Sequence, residues 1–182
     1  MKYREDQIYI DKIINGDSAS YAFLVNRYKD MAFTIALRIM RNTEDAEDVA
    51  QEGFLKAYQQ LHAFEGKSKF STWLYTIIYR TAVTKLQKRG VPAFSVNEDI
   101  SGYFESLETP QMEVMHAQEQ TKFIKQAIAK LPEMDGLLIT LFYMNENTIR
   151  EIEEITGLSA SNIKVKLFRA RKILEAELRF LL

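Results

Sequence analysis

Asp45, Asp48 and Glu52 stand three and seven residues apart in the stretch from Thr43 to Leu61, so on a helix their carboxylates project together, with Gln51 among them. Grouped carboxylates can hold a metal for hydrolysis, or they can form a docking face for a basic partner. Helical di-metal sites want Glu-x-x-His pairs, and neither His62 nor His116 is so placed. The chain has no cysteine, which removes disulfides and thiolate ligands. No catalytic residue, cofactor or metal site is therefore expected, and docking is the functional use that remains. A merely solvated face competes with it, because the helix dipole favours acids in a first turn and explains Glu44 to Glu47. The dipole does not reach Glu52.

The second constellation lies near the end of the chain. Thr148-Ile149-Arg150-Glu151 has the form of a capping box, and a short helix follows with Ile149, Ile152 and Ile155 inward. Gly157-Leu158-Ser159 breaks it, and Ser159 can cap a longer helix with the apolar stripe Ile163, Leu167, Ala170 and Leu174. A short helix, a glycine turn and a longer helix make a helix-turn-helix pattern. The longer helix turns Ser161, Lys164, Val165, Phe168 and Lys172 away from its stripe, with Asn162 and Arg169 on the flank. A phenylalanine among bases suits a groove-reading face, where apolar groups meet thymine methyls and Lys or Arg meets guanine or phosphate. The plainer alternative is a helical hairpin whose bases are solvated and whose Phe168 packs on a neighbour. Glu153 departs from the pattern, since alanine is usual four residues before the turn glycine, where the helices cross. Its side chain has to turn aside.

Helical periodicity positions both groups. Ile10, Ile13 and Ile14 predict a short first helix ending near Asn15-Gly16, and Asp17 or Ser18 caps a longer one running to Met40. Asn42 and Thr43 cap the acidic helix, whose buried stripe is Ala46, Val49, Ala50, Gly53, Phe54, Ala57, Tyr58 and Leu61. After the loop Ala63–Lys69, Ser71 or Thr72 caps a helix through Trp73, Leu74, Ile77, Ile78, Ala82 and Leu86. It closes in Lys85, Lys88, Arg89 and Gly90. Trp73 begins that stripe and reads as core. Helix returns by about Met112 and runs to Leu131; Pro132 ends it and opens the next helix from its first position. Nothing reads as a strand.

Net charge is −1 over 182 residues, but its distribution is uneven. Residues 1–90 carry 14 bases and 11 acids, residues 91–118 carry five acids and no base, and residues 119–182 carry ten bases and nine acids. This predicts an all-α protein of two small helical domains, 1–90 and 119–182, joined by an acidic flexible linker, 91–118. The opening residues lack an apolar secretory core and no apolar run could span a bilayer, so a soluble cytoplasmic protein is expected.

Asp45-Ala46-Glu47-Asp48-Val49-Ala50-Gln51-Glu52-Gly53-Phe54 resembles the D-A-E-D-x-x-Q-E-x-F block of bacterial sigma factor region 2. Phe64-Glu65-Gly66 and Lys69-Phe70-Ser71-Thr72-Trp73-Leu74 resemble its continuation. Leu131-Pro132-Glu133 and the helix-turn-helix, through Lys164-Val165-Lys166-Leu167-Phe168-Arg169-Ala170-Arg171, resemble region 4. The short acidic linker matches the extracytoplasmic-function (ECF) group. The resemblance implies a factor without catalysis of its own that binds RNA polymerase core, at the β′ clamp helices and β flap, and directs initiation at promoter DNA. It implies polymerase docking through Asp45, Asp48, Gln51 and Glu52. It also implies opening of the −10 element through Phe64, Lys67, Lys69, Phe70, Ser71, Tyr75, Tyr79 and Arg80, where an extruded base needs rings and polar partners and the backbone needs positive charge. Reading of the −35 element would fall to Ser161, Asn162, Lys164, Val165, Phe168, Arg169, Arg171 and Lys172. An anti-sigma factor is the implied regulator. Arg80 and Thr84 stand where the family commonly has asparagine and aspartate, so its −10 preference does not carry over.

A free-standing helix-turn-helix regulator is the alternative reading. Near-neutral total charge counts against it, because unaided DNA binding draws heavily on phosphate neutralisation.

Overall fold

The computed structural model describes residues 2–90 and 117–179. The first stretch forms α1 (Lys2–Ile14), α2 (Tyr21–Met40), α3 (Thr43–Gln59) and α4 (Phe70–Lys88). The second forms α5 (Ala117–Lys130), α6 (Glu133–Ile139), α7 (Ile149–Thr156) and α8 (Ala160–Leu178). Among the described residues there is no strand. The acidic linker falls outside them except for its last two residues, and so does the expected helix start near Met112.

Local signals set most boundaries. Gly16, at φ +101°, follows α1, and Asp17 accepts a hydrogen bond from the Ser20 amide to close a single turn before α2. Arg41 ends α2 in the left-handed region, and Asn42 caps α3 by accepting from the Asp45 amide at 2.9 Å. The expected α3 stripe is buried with one exception. Tyr58 is exposed and tilts against Tyr21, their ring centroids 4.9 Å apart. Tyr21 also donates its hydroxyl to the Phe54 carbonyl at 2.6 Å, tying α2 to α3.

Two helix starts differ from expectation. Neither Ser71 nor Thr72 caps α4; Lys69 holds the cap position without a side-chain cap and the helix begins at Phe70, two residues before the start that a Ser71 cap would give. Packing fixes that start: Phe70 is buried against Tyr28, Phe64 and Trp73, with ring centroids 5.7–5.8 Å away. Pro132 occupies the cap position of α6 instead of its first turn. Beyond Ile139 the expected helix widens into a π-turn, Thr140–Met144, closed by the Asn145 amide on the Thr140 carbonyl. The buried Thr140 hydroxyl, donating to the Gly136 carbonyl at 2.8 Å, sits at the transition.

The helix-turn-helix forms as expected. Thr148 and Glu151 complete a reciprocal capping box, Gly157 takes φ +75° after α7, and Ser159 accepts from the Asn162 amide to start α8. Ile152, Ile155, Ile163, Leu167 and Ala170 are buried between and behind the two helices, and Glu153 stays half-exposed.

The two helical groups touch. α7 lies on α4 and α6 lies on α2. Arg38 donates to the Ile128 carbonyl at 3.0 Å, Lys69 pairs with Glu151 at 2.9 Å, and Arg41 pairs with Glu133. Thr72 faces Glu151 at 3.5 Å and Thr76 faces the Glu154 carbonyl at 3.4 Å.

Candidate docking and nucleic-acid surfaces

The acidic face of α3 is divided between structure and solvent. Asp48, Gln51 and Glu52 are exposed, the Asp48 side chain by 70%. Asp45 is turned to the end of α4, where Arg89 donates two 2.6 Å hydrogen bonds to its carboxylate and Lys85 lies 3.5 Å away. Lys85 also reaches Asp48 at 3.2 Å, and Lys56 pairs with Glu52 one turn on. The basic end of α4 thus faces the acids of α3. Leu55, 57% exposed, extends the same face one turn further, a residue that periodicity alone does not single out.

Hydrogen bonding from Arg89, joined by the charges of Arg89 and Lys85, outweighs desolvation and holds the Asp45 carboxyl below its ordinary range. A carboxyl depressed in the folded state stabilises above its unfolded value, about pH 4, and loses that contribution as pH falls through the folded value. The melting-temperature gap between the parent chain and Asp45→Asn should therefore be constant above about pH 5 and close as pH falls below about 4. Thermal melts from pH 7 to pH 3 read this directly; a gap that persists at pH 3 would show that the carboxylate charge is not what holds the two helices.

The loop after α3 and the outer side of α4 hold the second group. Lys67 is exposed and pairs with Glu65; Lys69 and Arg80 are exposed, while Ser71 and Tyr79 are half-buried. Burial raises the Tyr79 hydroxyl above its ordinary pKa, so it stays a neutral donor. Phe64 packs on Trp73 at 5.2 Å, so the loop aromatic and the tryptophan brace one another. Phe70 and Tyr75 correct the expectation. Each is only 1% exposed, because the inward stripe of α4 runs Phe70, Leu74, Tyr75, Ile78 and Ala82, and both rings pack against Tyr28. In this arrangement they are core groups.

On α8, Ser161, Lys164, Phe168, Arg169 and Lys172 are exposed, with Asn162, Val165 and Arg171 half-buried. Phe168 is 44% exposed, which favours the groove-reading face over packing on a neighbour. Lys172 pairs with Glu175 at 3.3 Å, and the Arg171 Nε is enclosed without a hydrogen-bond partner among the described residues. Lys166 turns the other way and meets Asp135 of α6 at 3.7 Å.

Sequence reasoning missed Arg38. It lies between apolar neighbours on α2, yet its guanidinium lines an 880 Å³ cleft between the helical groups, with Lys69, Ser71, Tyr75 and Asn147 among the other walls. Nothing local announces this, because its hydrogen-bond partner is 90 residues away. Burial lowers its pKa, though an arginine remains charged.

With these surfaces in view, comparison with known proteins is decisive. Residues 24–91 match the sigma-70 region 2 family and residues 124–174 match sigma-70 region 4. The chain is 30% identical to the ECF RNA polymerase sigma factor SigW of Bacillus subtilis, over 93% of its own length and 95% of that protein's. It is a sigma-70 family protein of the ECF group. The ECF RNA polymerase sigma-E factor of Haemophilus influenzae is also 30% identical, over 96% of this chain and 95% of its own. Among solved structures, CnrH in complex with the cytosolic domain of CnrY shares the fold at a TM-score of 0.63 and 21% identity, over 96% of this sigma factor and 97% of that chain. The sigma factor RpoE of Bartonella quintana, solved with the anti-sigma factor NepR, also scores 0.63, at 22% identity over 87% and 96% of the two chains. Among the described residues, no group of His, Asp or Glu could hold a metal and no helix is long and apolar enough to cross a membrane.

Proposed function

We propose that this ECF sigma factor docks on RNA polymerase core through the exposed part of the α3 face, opens the −10 element with the 64–69 loop and outer side of α4, and reads the −35 element with α8. The single observation that carries this is an outward Phe168 among bases on the second helix of a helix-turn-helix, on the same chain as an exposed acidic face. The docking residues are Asp48, Gln51 and Glu52, with Leu55 adding an apolar contact one turn beyond them. Asp45 acts behind them by holding α3 to α4 through Arg89. The −10 residues are Lys67, Lys69, Ser71, Tyr79 and Arg80, with Phe64 and Trp73 supporting the loop. Ser161, Asn162, Lys164, Val165, Phe168, Arg169 and Lys172 contact the −35 element, and Arg171 supports that helix. The factor works in the cytoplasm, lends specificity to polymerase and performs no chemistry of its own. The complex of the Bartonella RpoE with NepR supports an anti-sigma factor as its regulator.

Run-off transcription tests this reading. Core polymerase plus this chain should initiate at defined sites on genomic fragments, and no initiation on any fragment would refute it. Phe168→Ala should cut initiation by about tenfold to a hundredfold at promoters that need the −35 element, in line with losing about 1–3 kcal/mol of base contact, while its melting temperature stays near that of the parent. A matching loss of stability would mean that Phe168 is a packing residue.

A further inference from the structure

The 880 Å³ cleft that Arg38 lines falls within the size range of small-molecule sites. Most charged groups on its walls are already spent on one another. Arg27 holds Asp6 at 2.8 Å, Tyr28 also donates to Asp6, and Lys69 pairs with Glu151. Arg38 is the exception. It gives one N–H to the Ile128 carbonyl at 3.0 Å, and no carboxylate among the described residues pairs with it. A guanidinium carries five donors in a fixed fork, so most of the fork is left over. Its place is also built. Gly136 of α6 leaves room for it, since a Cβ there would stand 3.3 Å from the Arg38 Nη1 and 3.3 Å from the Ile128 carbonyl oxygen.

Two further donors sit on deeply buried walls of the same cleft. Asn147 is only 3% exposed, and its Oδ1 accepts from the Asn145 Nδ2 at 2.6 Å. That bond orients the amide and leaves the Asn147 Nδ2 without an acceptor among the described residues. Glu146, between the two asparagines, takes φ +55°, so this turn is held in a conformation that glutamate disfavours. Tyr75 is 1% exposed, and its hydroxyl likewise has no partner among the described residues. Burial, and then the nearby Asp6, raise its pKa, so it remains a protonated donor. Buried donors left open cost free energy until an acceptor arrives.

We propose that this cleft is a ligand site for a small organic oxyanion, a carboxylate or a phosphate monoester. Its oxygens would accept from Arg38, Tyr75 and Asn147, with an apolar body lying against Met31 and Met144. The uncommitted inner groups are all donors, which selects an acceptor-rich head, and the free fork of Arg38 suits two oxygens of one anion. Asp30 and Glu146 line the cleft as exposed carboxylates. They repel extended polyanions, so a single anionic head is favoured over a nucleic-acid backbone. Binding here would give the factor a small-molecule input, and it does not depend on the promoter-reading assignments above.

Calorimetric titration of the full chain with benzoate, phenyl phosphate and benzamide tests the site. The three share one ring and differ in the head. At least one of the two anions should bind saturably at a single site, and neutral benzamide should not. The tighter anion identifies the head group that the cleft takes. Arg38→Gln should weaken that anion by about tenfold to a hundredfold. Asn147→Asp keeps the acceptor that Asn145 needs but replaces the open donor with a negative charge, and should abolish binding. Lys29→Gln, an exposed cation on α2 away from the cleft walls, should bind as the parent does. Circular dichroism matching the parent confirms that each variant is folded; should Arg38→Gln fail this, Asn147→Asp decides. No binding of either anion would overturn the proposal. So would parental affinity in Asn147→Asp, or an equal loss in Lys29→Gln, which would reduce the effect to general surface charge.

Discussion

Asp48→Arg is expected to weaken binding of core RNA polymerase by roughly 30-fold to several thousand-fold, the range of about 2–5 kcal/mol for turning an attractive interfacial charge into a repulsive one. The fold should be unaffected, because the Asp48 side chain is 70% exposed and pairs with the Lys85 ammonium at 3.2 Å, a surface pair of small energetic weight. Binding of labelled factor to purified core, with a thermal melt alongside, separates the two effects. The association rate should fall and lose its salt dependence, since the substitution reverses the sign of steering at the site of first contact. Asp45→Arg would be a poorer probe. It would set three cations together at the end of α4 and confuse lost docking with a broken α3–α4 tie. Affinity unchanged in Asp48→Arg would mean that the acids of α3 are only solvated.

The helices and their caps were legible because each depends on residues a few positions apart. Asn42, Thr148 with Glu151, Gly157 and Ser159 all act within one turn, and the structure has them capping or terminating as expected. Where long-range packing competes with local signals, the reading failed in understandable ways. Ser71 and Thr72 are good caps by type, but burying Phe70 starts α4 earlier and sends Thr72 to the contact with α7. Phe70 and Tyr75 looked like nucleic-acid rings because aromatic type and a basic neighbourhood do not say which face of α4 is inward. A strict count of the α4 stripe from Leu74 and Ile78 puts both rings on the inward side.

The contact between the groups was illegible for another reason. The hydrogen bonds and ion pairs described across it all join residues 78 or more positions apart, with no motif linking them. Glu151 was recognised for its local role alone. The capping box explains its presence so completely that nothing in the sequence asks for a second partner.

Gly53→Val should destabilise the fold strongly, and the reason lies on the side of the proposed docking helix opposite its acids. A Cβ at Gly53 would stand 2.1 Å from the Ile78 Cδ1 atom, 3.2 Å from its Cγ1 and 3.5 Å from its Cα. Ile78 is fully buried on α4, so α3 and α4 approach closely at this point because one of them has no side chain. Alanine presents a soluble conflict. The Ile78 terminal methyl can rotate away, and removing a mid-helix glycine returns roughly 1 kcal/mol of helix propensity, so Gly53→Ala should be near neutral. Valine adds two further methyl groups on a stiff β-branched frame, which a terminal rotation cannot clear. Overpacking of about 1–3 kcal/mol should follow, and for a domain of this size that lowers the melting temperature by roughly 5–20 °C. Paired thermal melts of the two variants decide the matter. Equal melting temperatures for alanine and valine would mean that α3 and α4 can move apart at no cost, and that the glycine is not what sets their spacing. If valine alone destabilises, polymerase affinity measured well below its melting point should stay near the parental value, because the exposed acids lie on the far side of α3 from the altered contact.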